Sequence, residues 1–152
     1  MKLGTKGRYA VMALVDLVET SSGQPKTLGD IAASQSISLS YLEQLFAKMR
    51  KRGVVVSVRG PGGGYKLSKP ASETRLSDII LAVDEPIKTT RCAPDSGRGC
   101  GPQGEKCATH ELWDALRQHI LGFLAQVTLE DVVEGRAGSI VQMQRVDRAT
   151  AA

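Results

Sequence analysis

The stretch that decides the fold is Thr27–Tyr65, which reads TLGDIAASQSISLSYLEQLFAKMRKRGVVVSVRGPGGGY. Its first part predicts a short helix over 28–34, a turn over 36–38 and a second helix over 40–51. Two helices joined by so short a turn are typical of a helix-turn-helix unit, whose second helix enters a major groove of DNA.

Both predicted helices carry capping residues at their first turns. Thr27 and Asp30 form one N-terminal signature, and Ser40 with Glu43 forms a capping box for the second helix. Gly53 follows the second helix and ends it. A buried apolar stripe at helical spacing is expected along this second helix at Leu42, Leu45, Phe46 and Met49.

The remainder of the stretch predicts a β-hairpin. Val54–Val58 is rich in β-branched residues, 65–68 returns as its partner strand, and the glycine-rich segment 59–64 forms the tip between them. With a further helix expected over 5–20, which Thr5 can cap, the order of elements is that of a winged helix-turn-helix domain. The glycine run is not a P-loop, because it joins two strands and lacks the Gly-Lys-Ser/Thr ending.

Composition and charge set limits on the function. The chain has 152 residues, of which 24% are charged and 41% hydrophobic, as expected of a soluble globular protein. Residues 1–69 carry 11 Lys/Arg against 4 Asp/Glu, whereas residues 70–152 carry 9 against 12. A basic front half indicates a polyanionic partner. The absence of a long apolar run and of an export signal, together with an odd number of cysteines, predicts a cytoplasmic protein that does not enter a membrane.

The rear half predicts a short helix that Ser77 caps, a long helix over 108–126 and a last helical turn that Thr128 caps. The long helix is unusually apolar for an appendage to a small winged domain. Its usual partner in DNA regulators is a second copy, which gives a dimer that matches a near-palindromic site. Packing against its own domain is the alternative. The stripe comprises Leu112, Leu116, Ile120, Phe123, Leu124 and Val127, widened by Trp113 and Leu121.

Four possible metal ligands lie within nineteen residues: Cys92, Cys100, Cys107 and His110. Thiolates and imidazole suit iron–sulfur clusters, zinc or copper(I). Structural zinc sites usually contain tighter Cys-x2–4-Cys pairs, so the wide gaps here favour a larger centre. Three unrelated cysteines in a glycine-rich loop, or a redox disulfide with one cysteine left over, remain the alternatives.

The second helix of the pair carries the candidate base-reading residues. Ser40, Tyr41 and Gln44 are expected on one exposed polar face, where Gln44 can pair with adenine. Glu43 can accept from a cytosine amine, although the capping box also explains it. At the hairpin tip, Arg59 can enter a narrow minor groove. The helix ends in cations that suit phosphates or the helix dipole: Lys48, Arg50, Lys51 and Arg52.

These features together resemble the IscR family of bacterial iron–sulfur-responsive transcription regulators, over about residues 1–134. The resemblance implies a homodimer with one [2Fe–2S] cluster per subunit on Cys92, Cys100, Cys107 and His110. The gaps between the cysteines are slightly longer than the usual pattern of the family. The motifs that carry the resemblance are Lys6–Ala10, Ile37–Phe46, Val58–Tyr65, Ala82–Glu85 and the cysteine–histidine set.

The resemblance also implies the function: a regulator, not an enzyme, that mainly represses cluster-assembly genes and receives its cluster from the assembly machinery. We expect a mainly α protein with a small β-hairpin. Its parts are a DNA-binding domain over 1–70, a connecting helix over 71–90, a ligand segment over 91–110, a dimerisation helix and turn over 108–134, and a flexible tail over 135–152. The candidate DNA contacts are Ser38, Ser40, Tyr41, Glu43, Gln44, Arg50, Arg59 and Gly60.

Three other functions compete with this interpretation. A nitric oxide- or iron-responsive repressor of the same superfamily would share the fold and the three cysteines. A zinc-stabilised DNA-binding protein would use the same four ligands without sensing. An electron-transfer enzyme would leave the basic front half unexplained, and the sequence contains no nucleotide motif or acid/base constellation to support it.

Overall fold

The computed structural model describes residues 4–85, 87, 89, 99, 101 and 103–140. Its first three helices and two strands follow the order that the sequence predicts for a winged helix-turn-helix domain. The elements are α1 at Thr5–Ser21, α2 at Leu28–Gln35, α3 at Leu39–Lys51, β1 at Val55–Val58 and β2 at Gly64–Leu67.

The hairpin is joined to the linker between α1 and α2. Strands β1 and β2 pair antiparallel from Val55 opposite Leu67 to Val58 opposite Gly64. Beyond that pair, the Tyr65 N–H donates to the Lys26 carbonyl at 2.8 Å, and the Lys26 N–H donates to the Tyr65 carbonyl at 2.9 Å. A Cβ at position 64 would collide with the Lys26 carbonyl, so this close approach of two backbones requires glycine.

The rear half contributes a 3-10 helix at Ala71–Glu73, then α4 at Leu76–Ala82, α5 at His110–Gln126 and α6 at Leu129–Val133. Thr128 caps α6 as predicted. Its hydroxyl accepts from the Asp131 N–H at 3.1 Å, and Asp131 Oδ2 accepts from the Thr128 N–H at 2.9 Å. These hydrogen bonds from Thr128 are the main reason that the pKa of Asp131 lies below its ordinary value.

A single apolar core joins the two halves. Helices α4 and α6 pack against α1, so the rear half continues the core of the winged domain. The predicted stripe of α3 is fully buried in this core, and none of the described helices is long and apolar enough to span a membrane. Buried representatives from successive elements are Leu14, Phe46, Ile79, Val127 and Leu129.

Two predicted helix caps are wrong, because distant groups satisfy the helix ends. Thr5 does not cap α1; the N-cap is Gly4, and the Gly7 N–H donates to the carboxylate of Glu85 at 3.4 Å. Ser77 does not cap α4, whose first N–H, on Leu76, donates to the Val127 carbonyl at 3.0 Å. Orphan N–H groups at helix starts need acceptors, and here the tertiary fold supplies them.

The chain after α6 differs from the loose tail expected over 135–152. Residues 137–140 are helical, and Ala137 and Ile140 contact the core. The N–H of Ser139 donates to the Arg136 carbonyl at 2.9 Å, as in a helical turn. Residues 141–152 lie outside the described part of the chain.

Candidate nucleic-acid interface and ligand segment

The N-terminus of α3 is capped by Ser38, not by Ser40. Ser38 has extended backbone angles, and its hydroxyl oxygen accepts from the Tyr41 N–H at 3.3 Å. The predicted Ser40–Glu43 capping box is therefore wrong, since Ser40 is already inside the helix. The buried side chain of Ile37 directly precedes the cap and fixes where the chain turns into the helix.

Because Glu43 takes no part in the cap, its carboxylate is exposed on the solvent side of α3. Within the described part of the chain, Glu43 has no hydrogen bond or ion pair. Ser40 and Gln44 are exposed beside it, and Arg50 is exposed two turns further along. The helix thus presents a hydroxyl, a carboxylate and an amide near its N-terminal end, which can form hydrogen bonds with base edges.

Tyr41 does not belong to the fully exposed face that the sequence predicts. Its side chain is half-buried, and its ring packs edge-to-face against Tyr9 of α1, with ring centroids 5.9 Å apart. Edge-to-face aromatic pairs stabilise the contact between two elements beyond simple burial. Tyr41 therefore helps to hold the orientation of α3 against α1.

The cations at the C-terminal end of α3 do not share one environment. Lys48 forms an ion pair with Asp84, Nζ to Oδ2 at 2.9 Å, and the hydrogen bond from Lys48 lowers the pKa of that carboxyl. Arg50, Lys51 and Arg52 are exposed to solvent. These three cations suit the phosphate backbone, whereas Lys48 ties α3 to the end of α4.

The hairpin and α3 are packed as one unit. The ring of Phe46 on α3 lies edge-to-face against Tyr65 on β2, with centroids 5.0 Å apart. At the tip, Arg59 and Gly60 are exposed, and Gly60 has φ +101°. The tip can bring its backbone close to a nucleic acid, because it carries glycine where a side chain would interfere. Arg59 is therefore exposed on the tip of a hairpin whose second strand packs against α3.

A buried carboxylate holds the helix pair together. Asp16 on α1 is 4% exposed and accepts from Lys26 Nζ at 2.5 Å and from Gln35 Nε2 at 3.1 Å. Burial raises the pKa of Asp16, but hydrogen bonds from Lys26, Ser34 and Gln35 and the charge of Lys26 outweigh it, so the pKa lies below its ordinary value. The network joins α1, the following linker and α2.

The ligand segment is described only in part. Cys107 is exposed, and His110 is the first residue of α5, which begins two residues later than predicted. The N–H of His110 donates to the Cys107 carbonyl at 3.0 Å, so both residues lie in one turn. Cys92 and Cys100 lie outside the described residues. The N–H of Gly99 donates to the Gly104 carbonyl at 2.7 Å, and the N–H of Gly101 donates to the Glu105 carbonyl at 3.0 Å.

The chain enters the ligand segment from residues held by the winged domain. Asp84, at the positive φ of +55°, pairs with Lys48 of α3, and Glu85 accepts from the Gly7 N–H of α1. The ligand segment, which starts at residue 91, therefore follows two contacts with α3 and α1 within a few residues of sequence.

Sequence reasoning missed these contacts, although each had a signal. Asp16 interrupts an apolar helical stripe, which marks a carboxylate that needs a buried cation. Asp84 and Glu85 stand directly after an apolar helix, where free acids are unexpected beside a carbonyl end. None of these signals identifies the partner, which comes from a different element in each case.

These features define a class of protein. The chain has a helix-turn-helix whose second helix carries an exposed polar face at its N-terminal end and a basic C-terminal end, and it has a glycine-tipped wing. This combination is typical of a DNA-binding transcription regulator.

The chain belongs to the Rrf2 family, described as iron-dependent transcriptional regulators, which matches residues 3–135. It is 50% identical over 136 residues to the HTH-type transcriptional regulator IscR of Photorhabdus laumondii, covering 90% of this chain and 81% of that protein. Among solved structures it resembles IscR of T. potens, with TM-score 0.70 and 32% identity over 89% of this chain and 88% of that one. It also resembles CymR, the global cysteine regulator of B. subtilis, with TM-score 0.72 and 33% identity over 88% and 97%. These relatives are transcriptional regulators and not enzymes.

Proposed function

We propose that the protein is a homodimeric repressor that senses iron–sulfur cluster supply through a [2Fe–2S] cluster and controls genes for cluster assembly. The observation that carries this proposal is the junction at Asp84 and Glu85. There, the chain contacts α3 and α1, and the segment containing three cysteines and a histidine follows within a few residues of sequence. The 50% sequence identity to a regulator named IscR also supports the proposal.

DNA recognition is assigned to the surface made by α3 and the wing. Ser40, Glu43 and Gln44 face base edges in the major groove, since the N-terminal residues of a recognition helix do so. The capping hydrogen bond uses the oxygen of Ser38 as acceptor, so its O–H is left to donate to a phosphate. Arg50 contributes a phosphate contact, and Arg59 with Gly60 approaches the minor groove.

A second copy of the chain is proposed to cover the first half of α5. Leu112 is 62% exposed and Trp113 is 40% exposed, whereas Leu124 and Val127 at the other end are buried in the core. The helix thus packs on its own domain at one end and leaves large apolar side chains uncovered at the other. A two-fold dimer buries them and presents two α3 helices to a near-palindromic operator.

The cluster ligands proposed are Cys92, Cys100, Cys107 and His110. The donor set fits the group, because two-iron clusters are held by cysteine thiolates and, in some centres, by histidine imidazoles as well. Cys107 is exposed and shares a turn with His110, so both can face one centre. When bound, the cluster would supply a redox-active centre, and its retention would depend on these four ligands. His110 must be neutral to bind, so acidification weakens its hold.

The proposed response follows from this layout. The loaded dimer represses its target genes, and the empty dimer releases them. Ordering of the ligand segment acts on α3 through Asp84 and Lys48. We place the protein in the bacterial cytoplasm, where the assembly machinery is its cluster donor.

Selection from a random double-stranded DNA library by the anaerobically purified protein tests this function. We expect a near-palindromic sequence whose half-sites lie about 10 base pairs, or a multiple, apart. Gln44→Ala should lose about tenfold discrimination at one adenine per half-site. Gln24→Ala, an exposed glutamine in the turn after α1, is the matched control and should select as wild type does. A library that yields no enriched sequence would contradict the proposal.

A further inference from the structure

One large apolar side chain stands in the polar surface of α3. Leu39 is 46% exposed. Among the large hydrophobic side chains that are exposed in the described part of the chain, it is the one that belongs to α3. Its neighbours in sequence, Ser38 and Ser40, are also exposed. Leu39 therefore faces solvent in the free protein and is available to a partner of α3.

The position of Leu39 in the helix is fixed by the cap. Ser38 is the N-cap, so Leu39 is the first residue of α3 and lies at the end that enters a major groove. Glu43 lies four residues later, which places it on the same face, with Cβ atoms about 5–6 Å apart. An apolar group and a carboxylate are thus side by side at the entry of the helix.

These two groups match the two features that pyrimidines show in the major groove. Cytosine presents an amine that a carboxylate can accept from, and thymine presents a C5 methyl that an apolar side chain can contact. A phosphate or a sugar hydroxyl would gain nothing from a leucine. An isobutyl group gains from a methyl, because both leave water on contact.

We infer that Leu39 reads a thymine by contacting its C5 methyl, next to the base that Glu43 faces. This inference rests on the proposed recognition of DNA by α3. The Leu39–Glu43 face would then be specific for pyrimidines, because the carboxylate selects the cytosine amine and the leucine selects the thymine methyl. A leucine that is merely one of the scattered apolar residues of a normal surface would make no distinction between thymine and uracil.

The test uses the duplex selected by the wild-type protein, with each thymine replaced in turn by deoxyuridine, which removes only the methyl group. Binding of labelled duplexes is followed by fluorescence anisotropy. For one position per half-site, wild type should bind the uracil duplex about fourfold more weakly, the change that corresponds to losing one buried methyl group. Leu39→Ala should bind the thymine and uracil duplexes equally at that position.

The matched control is Leu81→Ala, which truncates another exposed leucine, 53% exposed on α4. It should retain the fourfold preference for thymine. A wild-type protein indifferent to every uracil substitution, or a Leu39→Ala variant that keeps the preference, would overturn the role of Leu39 while DNA recognition by the domain stands. Failure to select any duplex would overturn both this inference and the proposed function.

Discussion

The winged domain and the first half of α5 differ in how much of their structure the chain completes by itself. In the winged domain, Phe46 and Leu42 are fully buried, and the buried Asp16 has its partners. In the first half of α5, Leu112 and Trp113 remain exposed. The proposed recognition surface is therefore built by a single chain. We expect the region around the ligand segment to be complete only with a second subunit and a bound group.

The largest effect that would separate the two regions is expected at Phe46. Phe46→Ala removes a fully buried ring that contacts Tyr65 of the wing, and should lower the free energy of unfolding by ~4 kcal/mol. Trp113→Ala, which removes a larger but exposed ring from α5, should preserve the fold of the isolated chain. Denaturant titration of both variants measures the difference. Equal losses of stability would show that α5 is as integral as the winged core.

The next effect concerns the buried carboxylate of Asp16. Asp16→Asn leaves Lys26 without its ionic partner, in a pair whose side chains are only 5% and 15% exposed. Breaking such a pair should cost ~3 kcal/mol of unfolding free energy. Glu19→Gln on the exposed face of the same helix is the control, and should stay within ~0.5 kcal/mol of wild type.

The same carboxylate predicts a pH dependence. Its pKa in the folded protein lies below the ordinary value of 3.8. A carboxyl whose folded pKa is depressed contributes stability that is complete above the unfolded pKa and is lost as the pH falls through the folded pKa. Wild type should therefore lose stability below about pH 4, and Asp16→Asn should lose less. Denaturation curves at a series of acidic pH values test this, and an equal acid sensitivity in both proteins would contradict the assignment.

A smaller effect is expected from a charge on the uncovered face of α5. Leu112→Glu should weaken association of the subunits by ~2 kcal/mol, the worth of a buried leucine, while the helical circular dichroism is unchanged. Sedimentation velocity should then show monomer at concentrations where wild type is dimeric. Glu111→Gln on the neighbouring position is the control. A Leu112→Glu protein that remains dimeric would show that the dimer interface does not include this face of α5.

The smallest effect on stability is expected at Asp84, because its ion pair with Lys48 is exposed to solvent. Asp84→Asn should leave denaturant unfolding nearly unchanged. It should, however, reduce the ratio of operator affinities between loaded and empty protein toward one, since the proposed response reaches α3 through this contact. Anisotropy titrations of both forms measure that ratio. A ratio equal to that of wild type would exclude this contact as the link.

The fold could be predicted from local patterns, but several helix caps could not. The stripe of α3 and the caps at Thr27 and Thr128 follow directly from residue spacing, and the structure confirms them. Thr5, Ser77 and Ser40 are chemically suitable caps that the structure does not use. The Glu85 carboxylate accepts from the start of α1, and the Val127 carbonyl accepts from the start of α4. In α3, Ser38 takes the cap position instead of Ser40.

The candidate site was predictable as a list of residues, and less so as an arrangement. Ser40, Glu43, Gln44 and Arg59 are exposed where the pattern of the sequence places them. Packing against α1 partly buries Tyr41, and no local rule reveals that contact. Ser40 and Glu43 fit both a capping box and a pair of base contacts, and the position of the actual cap, Ser38, excludes the capping box.

The measurement that tests the central claim most directly is a visible absorption spectrum with iron and sulfide analysis of the anaerobically purified protein, beside its Cys92→Ala variant. We predict a brown wild-type protein with about two irons and two sulfides per chain, the composition of a [2Fe–2S] centre. The variant should be folded, dimeric and colourless. A colourless wild-type protein with stoichiometric zinc, or without metal after anaerobic reconstitution, or a fully coloured Cys92→Ala protein, would contradict the account.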